Sequence, residues 1–127
     1  MPIPMKITAE EIQLASQLRL GGIPWVPSVG NYVLDESDLI QRGSPFQPGV
    51  YFVLNYDHFM SLAGGLDHFR EVMLWLPTWE DCREVLRELG VGDADVADHL
   101  AKEDAITNGR ERVSLYQLIL ARLGERP

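Results

Sequence analysis

Proline and glycine set the first limit on what this chain can become. Ile23-Pro24-Trp25-Val26-Pro27 must be extended or turned, because two prolines in five residues forbid a regular helix there. Pro45 and Pro48 keep the polar segment 35–49 irregular, and Pro77 interrupts the chain again. Gly21-Gly22, Gly64-Gly65, Gly90 and Asn108-Gly109 mark further stops. A chain cut this often can hold only short elements, with helices on either side of a non-helical stretch at 23–54.

Within those limits the elements can be read one by one. Thr8 and Glu11 have the spacing of a capping box, and Ile7 with Ile12 that of a hydrophobic staple. Ile12, Ala15 and Leu18 then predict a buried stripe on a helix that ends at Gly21-Gly22. Asn31-Tyr32-Val33-Leu34 and Val50-Tyr51-Phe52-Val53-Leu54 are β-rich runs bounded by glycine or proline, and they predict an antiparallel pair. A short helical turn near Asp38-Leu39-Ile40 is expected in the long connection.

From Asn55 onward the pattern is helical. Asn55 is expected to cap a segment ending at Gly64-Gly65, followed by a helix from about Leu66 to Trp75. Thr78 with Asp81 marks the next start, and Trp79, Cys82, Leu86 and Leu89 keep helical spacing up to Gly90. Two more helices are expected at about 94–106 and from Arg110 to Leu123. The fold class is therefore α+β and helix-rich, a small antiparallel β element packed with about five helices in a single domain, 1–127. At 127 residues, with 46% hydrophobic positions, the chain has enough apolar side chain for a core.

Charge and cysteine content narrow the function classes. A net charge of −8 opposes polyphosphate on average, so nucleic acid is not an expected partner. The charge is uneven: residues 93–104 carry five acids and one lysine, and residues 110–126 four arginines and two acids. Cys82 is alone, which forbids an intrachain disulfide and suits a reducing compartment. The start, Met1-Pro2-Ile3-Pro4-Met5-Lys6, lacks a basic region followed by a long apolar run, and no stretch approaches the ~18 apolar residues of a membrane span. A soluble cytoplasmic protein is expected.

Three constellations bear on chemistry. Leu89-Gly90-Val91-Gly92-Asp93-Ala94-Asp95-Val96-Ala97-Asp98-His99-Leu100 has a glycine turn with Val96 and Leu100 at fixed offsets, and it resembles the helix-turn-helix of repressor-type DNA-binding proteins. The resemblance covers about 20 residues and departs where Leu86 replaces a small alanine. It implies a recognition helix, yet that helix would present Asp93, Asp95 and Asp98 to phosphate. An ordinary packed helix pair is the expected outcome.

Asp57-His58-Phe59 and Asp67-His68-Phe69 repeat the same triplet, and together with His99 they offer nitrogen and oxygen ligands for a divalent ion. Adjacent Asp and His diverge by about 100° on a helix, so neither pair converges on one ion. His68 with Glu71, and His99 with Asp95 or Glu103, have the spacing of surface hydrogen-bonded pairs. No metal, cofactor or catalytic residue is expected, and Cys82, on one stripe with Trp79 and Leu86, is expected in the core.

The third constellation is aromatic. Trp25, Trp75 and Trp79 stand in or beside proline-stiffened segments, which makes them the candidate partner-binding residues. The expected function is a non-catalytic protein-interaction or homodimerising domain. A small metal-dependent or His/acid enzyme using His58, His68 or His99 is the alternative, and a transcription regulator using the helix-turn-helix-like segment is a second. As a first test of the element reading, Thr8→Ala should lower the unfolding free energy by about 1 kcal/mol through loss of the cap. The check is a lower denaturant midpoint at unchanged slope.

Overall fold

A computed structural model describes residues 6–40, 43–44 and 47–125. The first five residues of the N-terminal segment, four positions of the 35–49 connection and the last two residues, Arg126 and Pro127, lie outside the described residues. The described elements are α1 (Ala9–Leu20), β1 (Tyr32–Asp35), β2 (Val50–Phe52), α2 (Tyr56–Ala63), α3 (Leu66–Val72), β3 (Met73–Trp75), α4 (Trp79–Glu88), α5 (Asp93–Lys102), α6 (Ala105–Asn108) and α7 (Glu111–Gly124). The fold is helix-rich α+β, with seven helices rather than about five among the described residues. The chain forms two compact units: one takes Met1–Thr8 and Trp25–Leu76, the other Ala9–Pro24 and Pro77–Pro127.

The first unit is built on β1, the central strand of an antiparallel sheet ordered β2-β1-β3. The expected pairing of the two β-rich runs is present, with Tyr32 opposite Phe52, Val33 opposite Tyr51 and Leu34 opposite Val50. The Tyr32 and Phe52 rings meet at 5.1 Å across the strands, a favourable cross-strand pair. Val33, Val53, Ala63, Phe69 and Met73 form the buried cluster beneath. The Asn55 side chain accepts the His58 N–H at the start of α2, as its position predicts, and Gly64 ends that helix in the left-handed region at φ 78°.

Two expectations for this unit need correction. The helix expected to run to Trp75 stops at Val72, and Met73-Leu74-Trp75 is a strand facing Asp35, Leu34 and Val33 of β1. A run of four or five apolar residues fits a strand or a buried helix equally well by periodicity. The free edge of β1 decides the matter, because its N–H and C=O groups take partners there. The residues around Asp38-Leu39-Ile40 are not helical. Instead, the Asp35 carboxylate accepts the Leu39 and Ile40 N–H groups at 3.0 and 2.7 Å, doing for the backbone what a helical turn would have done.

The second unit packs α1, α4, α5 and α6 against α7. Val113, Ser114, Leu115 and Tyr116 are consecutive and all buried, so α7 is covered almost all round through its first turns. The buried stripe of α1 is Glu11, Ala15 and Leu18, and Ile12 is only half-buried. Glu11 takes the inward position because Arg112 of α7 meets it at 2.7 Å from Nε and 3.3 Å from Nη2. A carboxylate enters a core only when such a partner enters with it.

The capping box of α4 forms as its sequence predicts: Asp81 N–H donates to Thr78 Oγ1, and Thr78 N–H to Asp81 Oδ2. Gly90 ends the helix region at φ 86°, a conformation that costs most side chains dearly. The helix expected over 94–106 is broken. Continuing the buried Val96–Leu100 face by one more turn would drive Glu103 or Asp104 inward. The chain instead bends at Asp104, φ 49°, and restarts as α6 with Ala105 buried.

Tyr116, at the centre of α7, donates its hydroxyl to the Pro77 carbonyl at 2.5 Å, and both groups are buried. Tyr116→Phe should lower stability by about 1.5 kcal/mol, since it leaves a carbonyl dry and unpaired. Denaturant unfolding of the variant measures this, and an unchanged midpoint would mean that water reaches the carbonyl.

Candidate functional site

The second unit carries a groove of about 460 Å³ whose walls come from α4, α5 and α6. Helical spacing explains the α5 wall. Asp93, Val96, Ala97, Leu100 and Ala101 recur at three- and four-residue steps, so one face of the helix lines the groove. The small side chains of Ala97 and Ala101 leave the space open, and Trp79 contributes from α4. Ile106 lines the remaining wall and is 70% exposed, a large aliphatic side chain left in water beside the bend at Asp104.

Two charged groups of the groove, Arg83 and Asp93, are fixed by pairing. Arg83 places its guanidinium 5.6 Å from the centroid of the Trp79 ring and reaches Asp93 at 2.8 Å. Arg87 also binds Asp93, with Nε at 3.2 Å. Hydrogen bonds from both arginines hold the Asp93 carboxyl below the usual carboxylate range. Asp104 lines the groove without a side-chain cap bond and sits in a backbone region that non-glycine residues enter rarely. Groove residues Arg83, Asp93, Asp104 and Ile106 were not singled out as binding residues by the sequence reading. The legible signal was Ile106, standing two residues after the Glu103-Asp104 pair that closes an acid-rich stretch.

The three tryptophans part company. Trp75 is 8% exposed and belongs to the core of the first unit. Trp25 stacks on it, centroids 5.7 Å apart and planes 5° off parallel. The indole Nε1–H of Trp25 donates to Asn31 Oδ1 at 2.9 Å, and the Ser28 N–H donates to the same oxygen. Trp79 is half-buried and lines the groove. In the first unit Val26, Val29 and Leu54 are exposed apolar side chains on irregular segments.

The histidines are spread over separate elements. His58 is exposed on α2, His68 Nδ1 lies 2.6 Å from the Ala63 carbonyl, and His99 Nε2 lies 3.2 Å from the Ser114 carbonyl. Among the described residues, no three His, Cys, Asp or Glu side chains come together in a way that could hold a metal ion. The helix-turn-helix-like segment does form two helices about Gly90, and the face of α5 exposes Asp93, Asp95 and Asp98. Such a face repels phosphate. No helix among the described residues is long and apolar enough to cross a membrane. Comparisons of the chain with protein-family models, curated proteins and solved structures give no match.

Cys82 is buried on the inner face of α4. Burial pushes its thiol far above the ordinary range, with Asp81 adding to the effect and Arg112 opposing it. Burial likewise raises the Tyr116 phenol. In the unfolded chain each group ionises at its ordinary value, so above that pH the unfolded state alone loses the proton and is favoured. As far as these two groups are concerned, stability should hold from neutral pH to about pH 8.5 and then fall by about 1.4 kcal/mol per pH unit for each group past its unfolded value. Denaturant midpoints between neutral and alkaline pH measure the slope, and Cys82→Ala should remove the component that begins first.

Proposed function

We propose that this chain is a non-catalytic protein-interaction domain of the cytoplasm and that it binds through the α4–α6 groove. The observation that carries this reading is a solvent-exposed Ile106 beside an open, Trp79-edged groove. An aliphatic side chain so placed gains by being covered, and tryptophan is the residue type most enriched where binding energy concentrates. The groove volume falls within the roughly 300–1,000 Å³ typical of ligand sites. Of the three tryptophans, Trp79 is the one assigned to the partner, while Trp25 and Trp75 spend their faces on one another.

The competing readings draw less support. His68 and His99 each place a ring nitrogen against a backbone carbonyl rather than toward a shared cleft. The helix that would read DNA carries three exposed aspartates. The lone cysteine fits a reducing compartment.

Small organic probes test the reading without knowledge of the partner. In a two-dimensional amide spectrum titrated with phenol and isopropanol, the shifted signals should cluster at Trp79, Ala97, Leu100, Ala101 and Ile106. A cluster at Val26, Val29 and Leu54 instead would move the binding surface to the first unit and remove the groove from the proposal.

A further inference from the structure

Independently of the groove, we infer that the outer edge of β2 pairs with the same edge of a second copy of this chain. Two three-stranded sheets then become one continuous sheet about a two-fold axis near Val53. The bonds around the sheet fix which backbone groups point outward. Leu76 N–H donates to the Tyr32 carbonyl on the β3 side, whereas on the β2 side Val53 N–H donates to the Asn31 carbonyl and Asp35 N–H to the Gly49 carbonyl. Backbone direction alternates along a strand, so Gly49, Tyr51 and Val53 face β1, while Val50, Phe52 and Leu54 face away from it. Val50 is already served there: its N–H donates to the Gln47 carbonyl at 3.0 Å, and its carbonyl accepts the Ser44 hydroxyl. Among the described residues, the outward N–H and C=O groups of Phe52 and Leu54 have no hydrogen-bond partner.

An edge with free donors and acceptors is a template for another strand. This one is complementary to itself. Turned about an axis at Val53, Phe52 of each copy lies opposite Leu54 of the other, and every free N–H meets a free C=O. The side chains suit that register. Phe52 and Leu54 stand two residues apart and so share one face, where each would meet the other across the joint. Leu54 is 72% exposed and gains by being covered. Exposed Val29 precedes Gly30, whose N–H donates to the Val53 carbonyl, so Val29 and Leu54 flank a single backbone bond and widen the apolar patch.

Charge selects a second copy as the occupant. Each copy carries −8, so two copies repel wherever their charged surfaces face each other. Residues 25–34 and 43–56, which hold β2, most of β1 and their flanks, contain no Asp, Glu, Lys, Arg or His. Here alone in the first unit can two such chains meet over a long stretch without opposing like charges. Edge strands are ordinarily guarded by a lysine or an inward-pointing charge, and the outward positions of β2 carry neither. The opposite edge strand, β3, is buried along its whole length. The sheet therefore offers one open edge, and pairing there closes at a dimer instead of growing into a fibre.

Sedimentation of the full chain and amide hydrogen exchange, each run from about 10 μM to about 1 mM, test the inference. A contact of this size should give a dimer that is half formed on the order of 100 μM. Raising salt should strengthen it, because screening weakens the repulsion between the two copies. As the dimer fills, the Phe52 and Leu54 amides should become protected from exchange. The Tyr51 and Val53 amides, already bonded to β1, should keep the protection they have in the monomer. Leu54→Lys, at an exposed site, should leave the unfolding midpoint of the monomer in place and weaken the dimer by at least about ten-fold. A chain that stays monomeric up to about 1 mM would overturn the inference and leave the edge to a strand of some other protein. A dimer in which the Phe52 and Leu54 amides exchange as freely as in the monomer would overturn it too, since the copies would then meet elsewhere. Neither result bears on the groove, whose organic-probe test stands apart.

Discussion

The burial of α7 is the constraint on which the second unit depends. Four consecutive inward residues, Val113 to Tyr116, leave no solvent stripe through the first turns, so the helix needs neighbours on several sides at once. The helices α1, α4, α5 and α6 supply them. Because α7 is covered so widely, two long polar side chains pointing off it find partners inside the protein, while the Ser114 hydroxyl is buried without one among the described residues. Arg112 is answered by Glu11, and Tyr116 by the Pro77 carbonyl. Each answer also fixes a segment that is distant in sequence. The Glu11 pair sets which face of α1 turns inward, and the Tyr116 bond pins the chain just before α4. Packing here is thus organised by a few satisfied polar contacts within an apolar matrix, and a loss of one partner leaves the other dry.

The groove follows from the same constraint. Val96 and Leu100 turn toward the core, and His99 approaches the Ser114 carbonyl of α7. The neighbouring face of α5, with Ala97 and Ala101, is then left to solvent. Holding that orientation beyond Lys102 would bury an acid, and the bend at Asp104 resolves the conflict. It also swings Ile106 outward. The exposed aliphatic side chain and the unpaired carboxylate are two consequences of one break in one helix. Backbone strain of this kind, paid at a surface concavity, is often found where a protein binds something.

In the first unit the organising element is β1. A three-stranded antiparallel sheet is about the smallest that can stand when it has an apolar face to cover. Its four-residue central strand finds partners on both edges, and α2 and α3 bring Ala63 and Phe69 to the cluster of Val33, Val53 and Met73. The stiff Trp25–Asn31 loop is closed by Asn31, whose side-chain amide oxygen takes three donors, the Trp25 indole N–H and the Ser28 N–H and hydroxyl. Trp25 is thereby laid flat on Trp75, which converts a costly exposed aromatic into a stacked pair.

The sequence by itself determined the features that depend on neighbours a few residues away. The helix starts at Asn55 and Thr78, the stops at Gly64 and Gly90, and the β-rich character of 31–34 and 50–54 were all legible, because caps, left-handed turns and β-branched runs are local physics. The core position of Cys82 was legible from its stripe for the same reason. Only the tertiary structure decided that Met73-Leu74-Trp75 is a strand, since an apolar run takes the form of whichever unpaired backbone meets it. Only the fold turned Glu11 inward, because a buried carboxylate is tolerable when Arg112, a hundred residues away, arrives beside it. The break at Asp104, and the groove it opens, belong to that second kind too. They arise from which side of α5 faces α7, a choice that no window of local sequence contains.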